Sequence, residues 1–191
     1  NAFLGTFTMP GVIVRVALGV DGREPRPRGR LVLHTGEDAP YVALRDGDDG
    51  YFGTYTTNGP RLIRAHLPSF TRVNSRHFPD ISRLSAGTIE RTDESGADGG
   101  YAILGTRTKP ATLHRVWLRG DPPRGLSTSP PVQTLVMPAS YGEVRSVVAL
   151  PGVVAAAMSA ASGRLALASL PSLTAMQRVV RLADGMVPRL A

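Results

Sequence analysis

The sequence predicts an all-β fold, a β-propeller of four-stranded antiparallel blades, and three observations carry that prediction. One segment is written four times along the chain. Its copies recur at a nearly constant spacing. Each period divides into short runs rich in β-branched and aromatic residues, punctuated by Gly, Pro, Asn and Asp. A fixed period of about 50 residues built from short strands and turns is the mark of propeller blades.

The repeated segment opens as Leu4-Gly5-Thr6-Phe7-Thr8 and returns as Phe52-Gly53-Thr54-Tyr55-Thr56 and Leu104-Gly105-Thr106-Arg107-Thr108. A worn fourth copy carries Ala156-Ala157-Met158-Ser159. Anchored on Gly5, Gly53, Gly105 and Ala157, the spacings are 48, 52 and 52 residues. The glycine is expected where strands crowd together and backbones approach closely. The threonine that follows has a hydroxyl able to satisfy a nearby backbone group.

The second repeat reads as a complete blade. Ala39–Leu44 is its first strand, and Asp46-Gly47-Asp48-Asp49-Gly50 reads as the hairpin turn that follows. Tyr51–Thr57 is the second strand, Asn58-Gly59-Pro60 a turn, Arg61–Leu67 the third strand, Pro68-Ser69 a turn and Phe70–Phe78 the outer strand. The third repeat parses as Gly87–Asp93, Tyr101–Arg107, Thr112–Leu118 and Val132–Met137. The fourth parses as Val144–Leu150, Val153–Met158, Arg164–Leu170 and Met176–Leu182. The first repeat lacks its first strand and opens directly at Ala2–Thr8, followed by Val12–Leu18 and Arg30–His34. Met9-Pro10-Gly11-Val12 matches a type II turn, with Pro presetting φ and Gly supplying a positive φ. Lys109-Pro110-Ala111 keeps the proline without the glycine. By propensity alone the Ala- and Leu-rich Val153–Leu170 would make a helix. Ser162-Gly163 interrupts it where the other copies turn, so repeat register assigns strands instead.

The expected organisation is a single propeller segment, 1–191, with blades at about 1–38 (inner strand missing), 39–85, 86–140 and 141–191. Two closures fit. The blades are part of a larger propeller, or Met186–Ala191 supplies the missing strand and four blades close on themselves. The first is preferred, because the chain starts at Asn rather than Met and enters directly into a strand.

Composition limits function more than it assigns one. There is no Cys, which excludes disulfides and thiolate metal sites. The longest weakly polar run, Val147–Ala161, contains Pro151-Gly152 and is too short and too broken to span a bilayer. Asn1, Asn58 and Asn74 all fail the N-glycosylation pattern. The net charge is +7, yet Lys109 is the only lysine, and the arginines are scattered apart from the Arg23–Arg30 segment, which reads as a loop. Together with abundant Ala, Gly and Pro, this reads as a compositional bias rather than as a nucleic-acid face.

The repeat of Tyr51–Val73 resembles the form Y-F-G-T-x-T-x-P-G-x-V-V-R-V-x-L-x-x-F-x-R-V, with partial copies at Phe3–Leu18 and Tyr101–Leu118. Such repeats are similar to those of very large secreted or membrane-anchored proteins of protists and algae. There they stand beside cysteine-rich, EGF-like or ephrin-receptor-like repeats. The resemblance implies an extracellular or cell-surface structural or adhesive role, and it brings no catalytic motif.

A search for chemistry returns little. There is no phosphate-binding glycine loop, no nucleophile elbow and no H-E-x-x-H pair. His34, His66, His77 and His114 are isolated in sequence; His66 and His114 fall on third strands at different repeat positions. They read as hydrogen-bonded or surface residues rather than axial metal ligands. Asp46, Asp48 and Asp49 lack the downstream Glu of a calcium loop, and Asp93, Glu94 and Asp98 in the next repeat read likewise as turn residues. Trp117 and the aromatics Phe3, Phe7, Tyr51, Phe52, Tyr55 and Tyr101 are expected to pack blade against blade, with carbohydrate stacking as the functional alternative. No residue is nominated as catalytic, cofactor-binding or metal-ligating. The expected function is a non-catalytic interaction module whose partners are neighbouring repeats or other protein subunits, and carbohydrate in the alternative. The rival is a propeller enzyme of lactonase, lyase or glycosidase type with an axial site.

Overall fold

The computed structural model describes residues 1–19, 24–56, 59–81, 83–91, 100–118, 132–160, 163–170, 172–173 and 176–181. These form fifteen strands in four antiparallel sheets. The first sheet comprises β1 (Ala2–Gly5), β2 (Val12–Ala17) and β3 (Arg26–Val32). The second comprises β4 (Pro40–Asp46), β5 (Asp49–Thr54), β6 (Arg61–His66) and β7 (Thr71–His77). The third holds β8 (Leu84–Arg91), β9 (Gly100–Thr106), β10 (Thr112–Trp117) and β11 (Val132–Val136). The fourth holds β12 (Val144–Leu150), β13 (Val153–Met158), β14 (Arg164–Ser169) and β15 (Met176–Arg181). Within every sheet the strands lie side by side in chain order, which makes each a meandering propeller-type blade. The Ala-rich β13 and β14 are strands as register required, because their alternate residues find an apolar sheet to pack on.

The chain divides into two compact units, Asn1–Leu84 and Ser85–Ala191. In the first, Phe52, Ile63 and Ala65 of the second sheet close on Ile13 and Leu33, with Phe3 and Leu31 at the margin. Phe3 meets Phe52 edge to face at 6.4 Å and lies 5.7 Å from Phe70. In the second unit, Ile103, Leu113 and Leu135 of the third sheet pack on Val154, Ala156, Ala166 and Ala168 of the fourth. Both are sheet-on-sheet cores built from alternate residues of each strand.

Each repeat glycine lies under the first residue of a later first strand. A Cβ on Gly5 would stand 2.5 Å from the Pro40 carbonyl oxygen, one on Gly53 3.1 Å from Leu84, and one on Gly105 2.3 Å from a Val144 methyl. Pro40, Leu84 and Val144 open β4, β8 and β12. The threonines then close the turns between second and third strands. Thr6 Oγ1 accepts from the Val12 amide at 3.1 Å, Thr54 Oγ1 from the Arg61 amide at 2.8 Å, and Thr106 Oγ1 from the Thr112 amide at 2.9 Å.

Several local expectations are corrected. The Met9–Val12 turn is not type II: the Met9–Pro10 bond is cis, as is Lys109–Pro110, and Gly11 does not take a positive φ. Gly11 is needed for space instead, since a Cβ there would meet the Glu37 carbonyl oxygen at 2.9 Å. Asp49 and Gly50 belong to β5, leaving Gly47-Asp48 as the turn, because Arg64 on the paired strand gives Asp49 a partner. Arg26–Arg30 is strand rather than loop, carried by pairing with β2 through a bulge. Phe70 is a turn residue with φ of 53°, held there by burial of its ring.

Candidate interaction surface

The chemistry-bearing side chains are largely tied up in holding the blades. The sheet registers pair Gly5 with Ile13, Gly53 with Leu62 and Gly105 with Leu113, so Arg15, Arg64 and Arg115 occupy one structural position. Each reaches a fixed partner. Arg15 lies 5.2 Å from the Phe70 ring centre and donates to the Leu67 carbonyl at 3.0 Å. Arg64 donates to Asp49 at 2.8 Å, which raises its already high pKa. Arg115 forks onto Glu90 at 2.6 and 3.2 Å while lying 3.4 Å over Tyr101. Leu167 stands at the corresponding place in the worn repeat.

Further charged side chains follow the same rule. Buried Glu37 receives both arms of Arg72, at 3.1 and 2.6 Å, and the His34 amide at 3.1 Å. Burial alone would raise its pKa; the hydrogen bonds from Arg72 and His34 outweigh that and hold it below the ordinary value. Glu143 binds Arg107 at 2.6 Å and Arg145 at 3.1 Å. Arg83 stacks 3.6 Å over Tyr41.

The histidines do not share one kind of environment. His114 is buried between Thr112 and Thr134, whose hydroxyls lie 2.8 and 3.0 Å from its two ring nitrogens. Burial lowers its pKa to about 4. His66 meets Ser69 Oγ at 2.8 Å, while His34 and His77 are exposed. Among the described residues no three His, Asp or Glu side chains converge as a metal site. Asp46 and Asp48 remain near the hairpin while Asp49 turns to Arg64. Asp93, Glu94, Asp98 and Met186–Ala191 lie outside the described residues.

What stands out as available is apolar. Strand alternation places Leu4, Val12, Val14, Val16 and Val32 on the face of the first sheet that points away from the second. Leu4 is 56% exposed, whereas Phe52, Leu104 and Ala156 at the same repeat position are buried. Beside this face, the β1–β2 turn carries Phe7 at 72% and Met9 at 81% exposure. Phe7, expected to pack blade on blade, does meet the second sheet, edge to face on Tyr41 at 6.0 Å, but leaves most of its ring in solvent. Tyr101 and Trp117 meet each other at 4.8 Å as directly paired residues of β9 and β10. The recurring Arg was visible in the repeat, but its partners were not, because Asp49 and Glu90 are identified only by strand register.

No protein-family model matches the chain, and no curated protein matches it. Among solved structures, the computationally designed Ika8 protein matches with a TM-score of 0.48 at 11% identity, over 94% of this chain and 49% of the designed one. The chain thus spans about half the length of that protein.

Proposed function

We propose that this chain is a non-catalytic interaction module of a large extracellular or cell-surface protein. The observation that carries the reading is the exposure of Leu4, Phe7 and Met9 on and around the first sheet, whereas charged groups such as Glu37 and Arg72 are already committed to structural pairs. Exposed apolar side chains of this kind are what a protein partner covers. The repeat resemblance supports the extracellular setting and an adhesive role.

A photocrosslinking residue at Met9, exposed to the extracellular fraction of the source cells, should capture a discrete partner, and Phe7→Ser should lower that capture about tenfold. Lactones, aryl glycosides and polyuronates should show no turnover. Turnover abolished by His114→Ala or Glu90→Gln would overturn the reading in favour of an enzyme. Phe7 standing across Tyr41, with Arg83 stacked on the same Tyr41, favours carbohydrate as the second reading. Saturable glycan binding lost in Phe7→Ser would select it.

A further inference from the structure

Two repeat positions can be compared across the chain. Phe7, Tyr55 and Arg107 follow the repeat Gly-Thr, and Ala39, Arg83 and Glu143 precede Pro40, Leu84 and Val144, the residues lying over the repeat glycines. In the third repeat these positions carry opposite charges that meet: Glu143 accepts from Arg107 at 2.6 Å and from Arg145 at 3.1 Å. In the second repeat they carry Tyr55 and Arg83 instead, a cation without an acid. Half-buried Arg83 lies 3.6 Å over the Tyr41 ring and 5.7 Å from that of Tyr55. Arg64, Arg72 and Arg115 each hold a carboxylate. Among the described residues none pairs with Arg83, whose Nε–H is buried without an acceptor.

Open rings stand beside this charge. Pro40 pairs with Thr54 and Val42 with Gly53, so Tyr41 occupies a bulge of β4, a device that re-aims a side chain. Tyr41 is exposed, and Phe7 meets it edge to face at 6.0 Å with most of its own ring in solvent. An exposed ring offers apolar surface to the C–H face of a pyranose. A guanidinium stacked on a ring keeps its N–H donors in its own plane, where a carboxylate takes two of them. Phe7 and Arg83 both touch Tyr41, so a ligand that meets both joins an apolar face to an acid at short, fixed distance. A uronate does this within one rigid ring, whereas a flexible Asp or Glu side chain does not. The net charge of +7 favours an anionic ligand as well.

We propose that Phe7, Tyr41 and Arg83 form a binding site for an acidic glycan, with Arg83 on the carboxylate of a uronate residue and the aromatic rings against the sugar. The inference rests on the carbohydrate reading given above and deepens it by naming the charge that its ligand carries.

The test is calorimetric titration of the 191-residue chain with tetramers of galacturonate and of mannuronate, each as free acid and as methyl ester. The ester keeps the sugars and removes the charges. At least one free acid should bind about tenfold or more tightly than its ester. Arg83→Gln should bring that ratio to about one, and Arg83→Lys, which keeps the charge but not the fork, should leave it in between. The ratio is read from folded molecules alone, so partial unfolding cannot mimic its loss. Phe7→Ser should weaken both forms. A ratio untouched by Arg83→Gln would overturn the proposal, and so would binding of a sulfated glycan but of no uronate. Phe7-dependent binding of acid and ester alike would remove the acidic specificity and leave the carbohydrate reading standing. Binding of neither form would remove both.

Discussion

His114 shows how a polar side chain becomes structural. Burial withdraws its ring from water and favours the neutral form, so its pKa falls from 6.5 to about 4, while the two threonine hydroxyls satisfy its ring nitrogens. The unfolded chain therefore binds a proton between those values while the folded chain does not. Stability contributed by the neutral ring is complete above pH 6.5 and is lost progressively down to about pH 4, by on the order of 3 kcal/mol. His114→Leu should flatten this part of a urea-midpoint profile, even if its stability at pH 7 is lower. An unchanged acid slope would contradict the assignment. Arg115 tests the same logic with a permanent charge. Arg115→Met strands Glu90 in a buried site and should cost about 3 kcal/mol by chemical denaturation. Arg145→Met, at a more exposed pair, should cost less than about 1 kcal/mol.

Among the strands, the glycine seats make the sharpest prediction. Gly105→Ala drives a methyl into Val144, whose own side chain is fully buried, and should destabilise by about 2 kcal/mol. Combining it with Val144→Ala should cost less than the sum of the two single changes, since the second opens the space the first needs. Strict additivity would show that the contact is not the cause. These seats also mark how far the sequence could be read. β12 and β13 fall at their expected bounds because Pro151-Gly152 and the apolar alternation fix both ends. The glycine and threonine roles followed from residue type and recurrence. The two cis prolines, the bulge that makes Arg26–Arg30 a strand, and the turn position of Phe70 did not. The bulge is set by pairing with β2, and the Phe70 turn by a ring buried near Phe3. The exposed surface was legible only as a missing strand, not as Phe7 and Met9 in solvent.

For the whole molecule, the first sheet sets solution behaviour. Its face away from the core exposes Leu4, and the adjoining turn adds Phe7 and Met9. Purified alone, the chain should therefore self-associate as its concentration rises, despite a net charge of +7. In sedimentation velocity, the double variant Phe7→Ser, Met9→Ser should weaken that association about tenfold. An equally associated double variant would place the sticky surface elsewhere.

The glycine seats have a genetic consequence as well. Each junction is specified by one glycine and the residue opening a later first strand, about 30 to 40 positions downstream, and both recur once per repeat. Unequal crossover that adds or removes a whole period keeps glycine and lid in step, whereas a partial period separates them. Copy number can drift by whole repeats while the residues between the seats diverge, as the change from Arg115 to Leu167 at one repeat position illustrates.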